Sequence, residues 1–135
     1  MAKKAYQGSC LCGAVGYEVQ AESIRATHCH CSMCRKAHGA AYATWGDVPA
    51  ANFRWTQGED LLIENKSSQE LSRFFCSRCG AQLAGVNKTT PEVFNFTIGT
   101  LEDGAPVELA NHIFVGFKAP WHKITDSLPQ LQEYE

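Results

Sequence analysis

Long hydrophobic runs are missing from this chain of 135 residues. No apolar stretch approaches the roughly 20 residues that a membrane-spanning helix needs, and the mean hydropathy is -0.25. The first residues, Met1 to Gly8, lead into no apolar segment, which argues against a secretory signal. We therefore expect a protein that is neither inserted in a membrane nor secreted.

An excess of positive charge is also missing. The chain has 12 Lys and Arg residues against 14 Asp and Glu residues, which gives a formal net charge of -2, and the basic residues form no run. Binding to phosphate backbones needs a concentrated basic face. The sequence therefore argues against nucleic acid as the main partner.

Helical periodicity is scarce, whereas short segments rich in β-branched and aromatic residues alternate with turn residues. The segments predicted to be strands are 14–20, 40–45, 61–65, 71–75, 82–86, 93–98 and 112–117. We predict helix only for a turn or two after Cys34 and for a C-terminal segment, 129–134, that begins with a proline. A chain of 14.9 kDa that shows no linker or repeat is expected to form one domain over 1–135, of the all-β class.

Seven cysteines form three tight clusters in the sequence. The clusters are Cys10-Leu-Cys12, Cys29-His-Cys31-Ser-Met-Cys34 and Cys76-Ser-Arg-Cys79. An odd count without a leader disfavours a disulfide framework, and reduced thiols are typical of the cytoplasm, where we expect the protein to reside. A redox Cys-x-x-Cys usually opens a helix in a βαβ setting, which the predicted elements do not show. Metal binding is the favoured interpretation.

Seven thiols match one closed zinc site and one open zinc site. A structural zinc ion takes four protein ligands, whereas a catalytic one keeps three and leaves a position for substrate. Spacing alone does not fix the partition. One arrangement joins the first and last clusters and leaves Cys29, Cys31 and Cys34 together. Another makes Cys31, Cys34, Cys76 and Cys79 the closed site, with Cys10, Cys12 and Cys29 as the remainder.

The motifs together resemble those of the glutathione-dependent formaldehyde-activating family, also called the GFA or CENP-V domain. The resemblance covers nearly the whole chain and rests on several segments in the same order. These are Gly8-Ser9-Cys10-Leu11-Cys12-Gly13, His30-Cys31-Ser32-Met33-Cys34-Arg35, Arg73-Phe74-Phe75-Cys76-Ser77-Arg78-Cys79-Gly80, Ile98-Gly99-Thr100-Leu101-Glu102-Asp103, His112-Ile113, Lys118-Ala119-Pro120-Trp121 and Leu128-Pro129.

This resemblance implies an Mss4-like fold of folded β-sheets with two zinc ions per chain. It implies a structural zinc on Cys10, Cys12, Cys76 and Cys79, and a catalytic zinc on Cys29, Cys31 and Cys34. The implied activity is that of a carbon-sulfur lyase, which reversibly joins glutathione and formaldehyde into S-(hydroxymethyl)glutathione.

The chemistry of a three-thiolate zinc agrees with that activity. Three thiolates leave the divalent ion with an overall negative charge, so it should activate water poorly but bind one more soft ligand, a substrate thiolate, well. The sequence leaves the thiol, the electrophile and the oligomeric state open. The alternative is a non-catalytic, zinc-stabilised binding or chaperone-like module, which would need only the closed site.

Proton transfer needs a further group, and three histidines lie near the middle cysteines: His28, His30 and His38. His30 is the strongest of the three candidates, although a supporting role near the metal is the more common use of such a residue. Arg35 and Lys36 could attract substrate carboxylates. Trp121 and the pair Asn111-His112 are further candidates for the pocket, and the remaining aromatic residues are expected in the core.

Overall fold

The structure, a computed structural model, describes residues 3–134. This part of the chain contains ten β-strands and one α-helix. The strands are β1 (Lys4–Ser9), β2 (Gly16–Ala21), β3 (Ile24–Cys29), β4 (Ala43–Pro49), β5 (Phe53–Gln57), β6 (Leu62–Lys66), β7 (Leu71–Cys76), β8 (Gln82–Asn87), β9 (Val93–Thr97) and β10 (Val107–Ile113). Helix α1 (Ser32–His38) lies between β3 and β4.

The strands form two sheets. A three-stranded antiparallel sheet has the order β1-β2-β5, and a seven-stranded sheet has the order β10-β3-β4-β9-β8-β7-β6. Within the larger sheet β10 pairs with β3 in parallel, and the other pairs are antiparallel. The predicted all-β class with little helix is confirmed, and the two sheets with their cysteine clusters agree with the Mss4-like arrangement.

The main core joins the two sheets. Strand β2 places Tyr17 and Val19 on one face by the two-residue period of a strand, and both are fully buried. They belong to the same buried cluster as Leu83 and Phe96 of the larger sheet. A second, smaller cluster surrounds Trp45 at the β3–β4 end of that sheet. The main cluster contains Cys10 and Cys76, and the smaller cluster contains Cys29 and Cys34.

All seven predicted strands overlap observed strands, but the prediction for 112–117 is wrong beyond Ile113. Phe114 takes a left-handed backbone conformation with φ of 56°, and Val115–Phe117 forms a short 3-10 turn. The predicted helix at 129–134 is also wrong. There the amide of Leu131 donates to the carbonyl of His112 at 2.9 Å, because the segment runs beside β10 rather than bonding to itself.

Strands β1, β3 and β5 were not predicted, because exposed polar residues and histidines mask their periodicity. The predicted turn of helix after Cys34 is confirmed, although α1 already begins at Ser32. None of the helices in residues 3–134 is long and apolar enough to cross a membrane.

Candidate metal centres

The first group of thiols is the four-cysteine cluster, formed by Cys10, Cys12, Cys76 and Cys79. Its Sγ atoms all lie within 4.8 Å of one another, with 3.6 Å between Cys10 and Cys12 and 3.9 Å between Cys12 and Cys76. All four are free thiols. Four converging thiols match the donor set of a structural zinc.

Two similar turns place these thiols. One joins β1 to β2 and the other joins β7 to β8. Each turn ends in a glycine with positive φ, 81° at Gly13 and 78° at Gly80, a conformation that side chains with a Cβ adopt at a cost. The Gly80 amide donates to the Cys76 carbonyl at 2.8 Å, which closes the second turn. The predicted knuckle geometry at Gly80 is therefore present.

Backbone amides face the sulfur atoms of the four-cysteine cluster. The Val15 amide lies 3.3 Å from Cys10 Sγ, and the Arg78 amide lies 3.4 Å from Cys76 Sγ. The amide of Ala81, followed by that of Cys12, lowers the pKa of Cys79 to about 6. Hydrogen bonds to the charged form favour thiolates, which are the form that binds metal.

The second group is the three-cysteine cluster, formed by Cys29, Cys31 and Cys34. Cys29 ends β3, Cys31 is the N-cap of α1, and Cys34 lies in the first turn of the helix. Their Sγ atoms also lie within 4.8 Å of one another. This Cys-x-x-Cys opens a helix, but β3 and β4 on either side of it are antiparallel, so the βαβ setting of a redox motif is absent here, as expected from the sequence.

Burial distinguishes the three-cysteine cluster. Cys29 and Cys34 are buried and Cys31 is half-buried, whereas Cys12 of the other cluster is exposed. Hydrogen bonds from Cys29 and Cys31, with help from Arg73, lower the pKa of Cys34, while the same sharing raises the pKa of Cys29. Three thiols that converge in a partly buried site, beside a guanidinium, are a donor set for a soft divalent metal ion.

Arg73 of β7 lies against this cluster and was not singled out from the sequence as a site residue. It is 1% exposed and is the largest fully buried side chain described. Its Nη2 lies 3.5 Å from Cys34 Sγ, its Nε donates to Ser67 Oγ at 3.0 Å, and its guanidinium lies 5.9 Å from the centre of the Trp45 ring. The signal in the sequence is an arginine inside an apolar strand segment.

A row of histidines lies on the neighbouring strands β3 and β10 and at the residue that follows β3. Nε2 of His30 lies 2.8 Å from Nδ1 of His112, and Nε2 of His112 lies 3.0 and 3.1 Å from the two carboxylate oxygens of Asp126. His28 Nδ1 lies 2.8 Å from Thr44 Oγ1. Asp126 was not predicted from the sequence, because only the fold brings it to His112.

Hydrogen bonding defines the roles of the ring nitrogens. Because the Asp126 carboxylate can only accept, Nε2 of His112 donates to it, and Nδ1 of a neutral His112 accepts from His30. His30 Nδ1 is then the nitrogen with a free lone pair, and it is buried with no partner in the described structure. Burial, followed by the charge at His112, lowers the pKa of His30 to about 4.

The other predicted site residues are partly buried and partly exposed. His38 packs edge-on against Trp45 with ring centres 5.4 Å apart. Asn111 is buried and its side chain accepts a hydrogen bond from Thr27. Trp121 is 73% exposed and Lys36 is exposed, so neither lies in the buried centre.

A cavity of about 470 Å³ is lined by the end of α1, by the start of β4 and by the turn from β7 to β8. Its lining includes Ala43, which pairs with Cys29, and His38, which follows Cys34 by about one helical turn. Two buried polar atoms on this lining, His38 Nε2 and Gln82 Oε1, have no hydrogen-bond partner within residues 3–134. A bound molecule with polar groups would satisfy them.

Comparison with known proteins gives a consistent result. The family model described as "Glutathione-dependent formaldehyde-activating enzyme" matches residues 5–116. A protein of Schizosaccharomyces pombe named "Uncharacterized lyase" is 32% identical over 98 residues, which is 67% of this chain and 65% of that protein. The chain thus spans slightly less than two thirds of the length of that relative.

Two further comparisons extend over more of the chain. A protein of Halomonas elongata named "Putative glutathione-dependent formaldehyde-activating enzyme" is 29% identical over 125 residues, covering 87% of this chain and 80% of that protein. A crystal structure of a Rhodobacter sphaeroides protein superposes with a TM-score of 0.59 and 24% identity, covering 76% of this chain and 99% of the other. At that identity the superposition shows similarity of fold alone.

Proposed function

The chain belongs to the glutathione-dependent formaldehyde-activating family, and from this we propose that it is a zinc-dependent carbon-sulfur lyase. Its substrate would be the adduct of a small thiol with an aldehyde, such as S-(hydroxymethyl)glutathione. In the synthetic direction a sulfur-carbon bond forms, the carbonyl becomes a hydroxyl group, and the thiol proton is transferred to oxygen; cleavage of the adduct reverses each of these changes. No oxidant or reductant is consumed.

The observation that carries this proposal is the convergence of three thiols, two of them buried, at the start of α1. Cys29, Cys31 and Cys34 would hold one zinc ion, and Cys10, Cys12, Cys76 and Cys79 would hold another. A zinc ion on three protein thiolates would supply an open position for a soft ligand such as a substrate sulfur. Seven thiols must stay reduced for this purpose, which supports residence in the cytoplasm.

The chain's own side chains supply the rest of the site. The cavity lined by His38 and Ala43 would seat the body of the thiol, with His38 Nε2 and Gln82 Oε1 available to its polar groups. Tyr42 also lines this cavity, and its ring lies 5.0 Å from the ring of His30. We assign transfer of the thiol proton to the hydrogen-bonded series His30, His112 and Asp126. This series leads from a buried ring nitrogen to a partly exposed carboxylate.

The decisive experiment measures zinc per chain on protein purified under reducing conditions, then titrates zinc with and without glutathione. We expect about two zinc ions, with the second held more tightly when thiol is present. Exchange of formaldehyde into the adduct, followed by NMR, should depend on that second ion.

Cys31→Ser should abolish the thiol effect on zinc and the exchange. Ser32→Ala is the matched control, because Ser32 is exposed at the start of α1, next to Cys31, and provides no thiol. A single zinc ion with no thiol effect, or unchanged thiol binding in Cys31→Ser, would contradict the proposal. Either result would favour a zinc-stabilised binding module.

A further inference from the structure

Arg73 carries a permanent positive charge inside the protein. An arginine does not lose its proton at ordinary pH, and burying an uncompensated charge is costly. None of the ion pairs recorded within residues 3–134 involves Arg73. Its neighbours are the Ser67 hydroxyl, the Trp45 ring and Cys34 Sγ, and of these only the sulfur can become an anion.

The charges at the three-cysteine cluster match this arrangement. Three thiolates with one divalent ion leave a single net negative charge in a buried site, and one guanidinium cancels it. Without the guanidinium, the bound ion would leave that negative charge buried with no counter-charge. Cys34 is 3% exposed and Cys29 is 5% exposed, so water screens little of it.

The four-cysteine cluster is less enclosed. Cys10 and Cys76 are buried there, but Cys12 is exposed and Cys79 is half-buried, so solvent can screen part of the charge of a metal site. The recorded hydrogen bonds to its sulfur atoms from outside the cluster come from backbone amides, those of Val15 and Arg78. Any effect of Arg73 should therefore be confined to one of the two clusters.

We propose that Arg73 is the internal counter-charge that allows the three-cysteine cluster to retain a divalent metal ion. It is a positioning residue, which acts through Cys34 and does not need to touch the substrate. This inference rests on the proposed function only in assuming that a metal ion binds the three cysteines.

The test is competition for zinc with a chelator, in which the two ions are counted separately on the whole chain. Arg73→Gln should weaken retention of one ion by about 10- to 100-fold, the usual effect of losing a partner around the ligands. The other ion should be retained as in the wild type. Arg73→Lys keeps the charge, and its retention of that ion should weaken by on the order of 10-fold or less.

Two controls separate charge from folding. Arg54→Gln removes an arginine of the smaller sheet whose recorded partner is Glu18, and it should leave both ions in place. Retention of the tightly held zinc reports that a variant is folded. If Arg73→Gln fails that criterion, Arg73→Lys decides the question, since it preserves the charge with a similar side-chain length.

Equal retention of both ions in wild type and Arg73→Gln would overturn the role of Arg73 while leaving the proposed lyase intact. Loss in Arg73→Lys as large as in Arg73→Gln would also overturn it, because charge would then not be the cause. A wild-type protein that never takes a second ion would instead refute the proposed function.

Discussion

The two cysteine clusters use the same donor atom but differ in how they are joined to the fold. The four-cysteine cluster connects two turns that lie far apart in the chain, since Cys12 and Cys76 are 64 positions apart. One turn belongs to the smaller sheet and the other to the larger sheet. In the three-cysteine cluster, one short segment at the start of α1 supplies every thiol.

The cores around the clusters differ as well. Cys10 and Cys76 belong to the main buried cluster, together with Tyr17 and Phe96. Cys29 and Cys34 belong to the smaller one around Trp45. A link that closes a long loop removes more freedom from the unfolded chain than a link within a few residues. The comparison supports the proposal that the four-cysteine cluster stabilises the fold and that the three-cysteine cluster is the reactive one.

The largest expected effect comes from removing one thiol from each cluster in turn. Cys76→Ser should lose one zinc ion and at least about 4 kcal/mol of unfolding free energy, because it opens a site that joins both sheets. Cys31→Ser should lose the other ion and cost about 1 kcal/mol, since its side chain is half-buried. Urea unfolding with zinc analysis measures both. Equal destabilisation by the two variants would show that the two clusters do not differ in their contribution to stability.

Metal removal from the unmodified protein gives the second test. A weak chelator should take zinc from the three-cysteine cluster first and leave the circular dichroism spectrum unchanged, because an open site with three ligands holds metal less firmly. A strong chelator should remove both ions and unfold the protein. Thiol added beforehand should slow the first release. Simultaneous loss of both ions would show that the clusters are not independent.

The contrast between the clusters was partly visible in the sequence. The spacing of Cys76, Cys79 and the following glycine predicted a tight turn, because two ligands on one turn need a local backbone conformation that the motif encodes. The seven cysteines also predicted one site with four thiols and one with three, but their spacing did not determine which clusters combine to form the four-thiol site. That depends on how the two sheets pack, a property of long-range contacts.

Other parts of the site could not be read from local patterns. Asp126 lies 14 residues from His112 along the chain and reaches it only because the C-terminal segment runs beside β10. The same pairing explains why the predicted helix at 129–134 was wrong, since tertiary hydrogen bonds replaced those of a helix. The burial of Arg73 is likewise decided by packing, although a charged residue within an apolar strand was a sign of it.

The histidine row provides a third test, with a smaller effect. Asp126→Asn should reduce the exchange rate by about 10- to 100-fold, because an amide can donate to His112 and reverse the direction of the hydrogen bonds to His30. Zinc content and stability should stay unchanged, which separates this row from both clusters. Asp60→Asn is the control, as Asp60 is exposed in a 3-10 turn. If Asp126→Asn lost zinc as well as exchange rate, a role of this row in proton transfer would be contradicted.

The smallest effect concerns Tyr17, which shares the main core with Cys10 and Cys76. Burial raises the pKa of Tyr17 to about 12, although its 2.8 Å hydrogen bond with Thr100 opposes this. Because the fold favours the protonated phenol, its contribution is complete below the unfolded pKa of 10.0 and is lost as the pH rises toward 12.

Tyr17→Phe should therefore cost about 1 kcal/mol at pH 7, for the lost hydrogen bond, and should unfold with less dependence on alkaline pH than the wild type. Urea unfolding at several pH values measures the difference between the two proteins. Chelator release from the three-cysteine cluster should not change, because that cluster packs in the other core. A variant that released this ion more readily would show that the two cores are coupled, and the division of labour between the clusters would have to be abandoned.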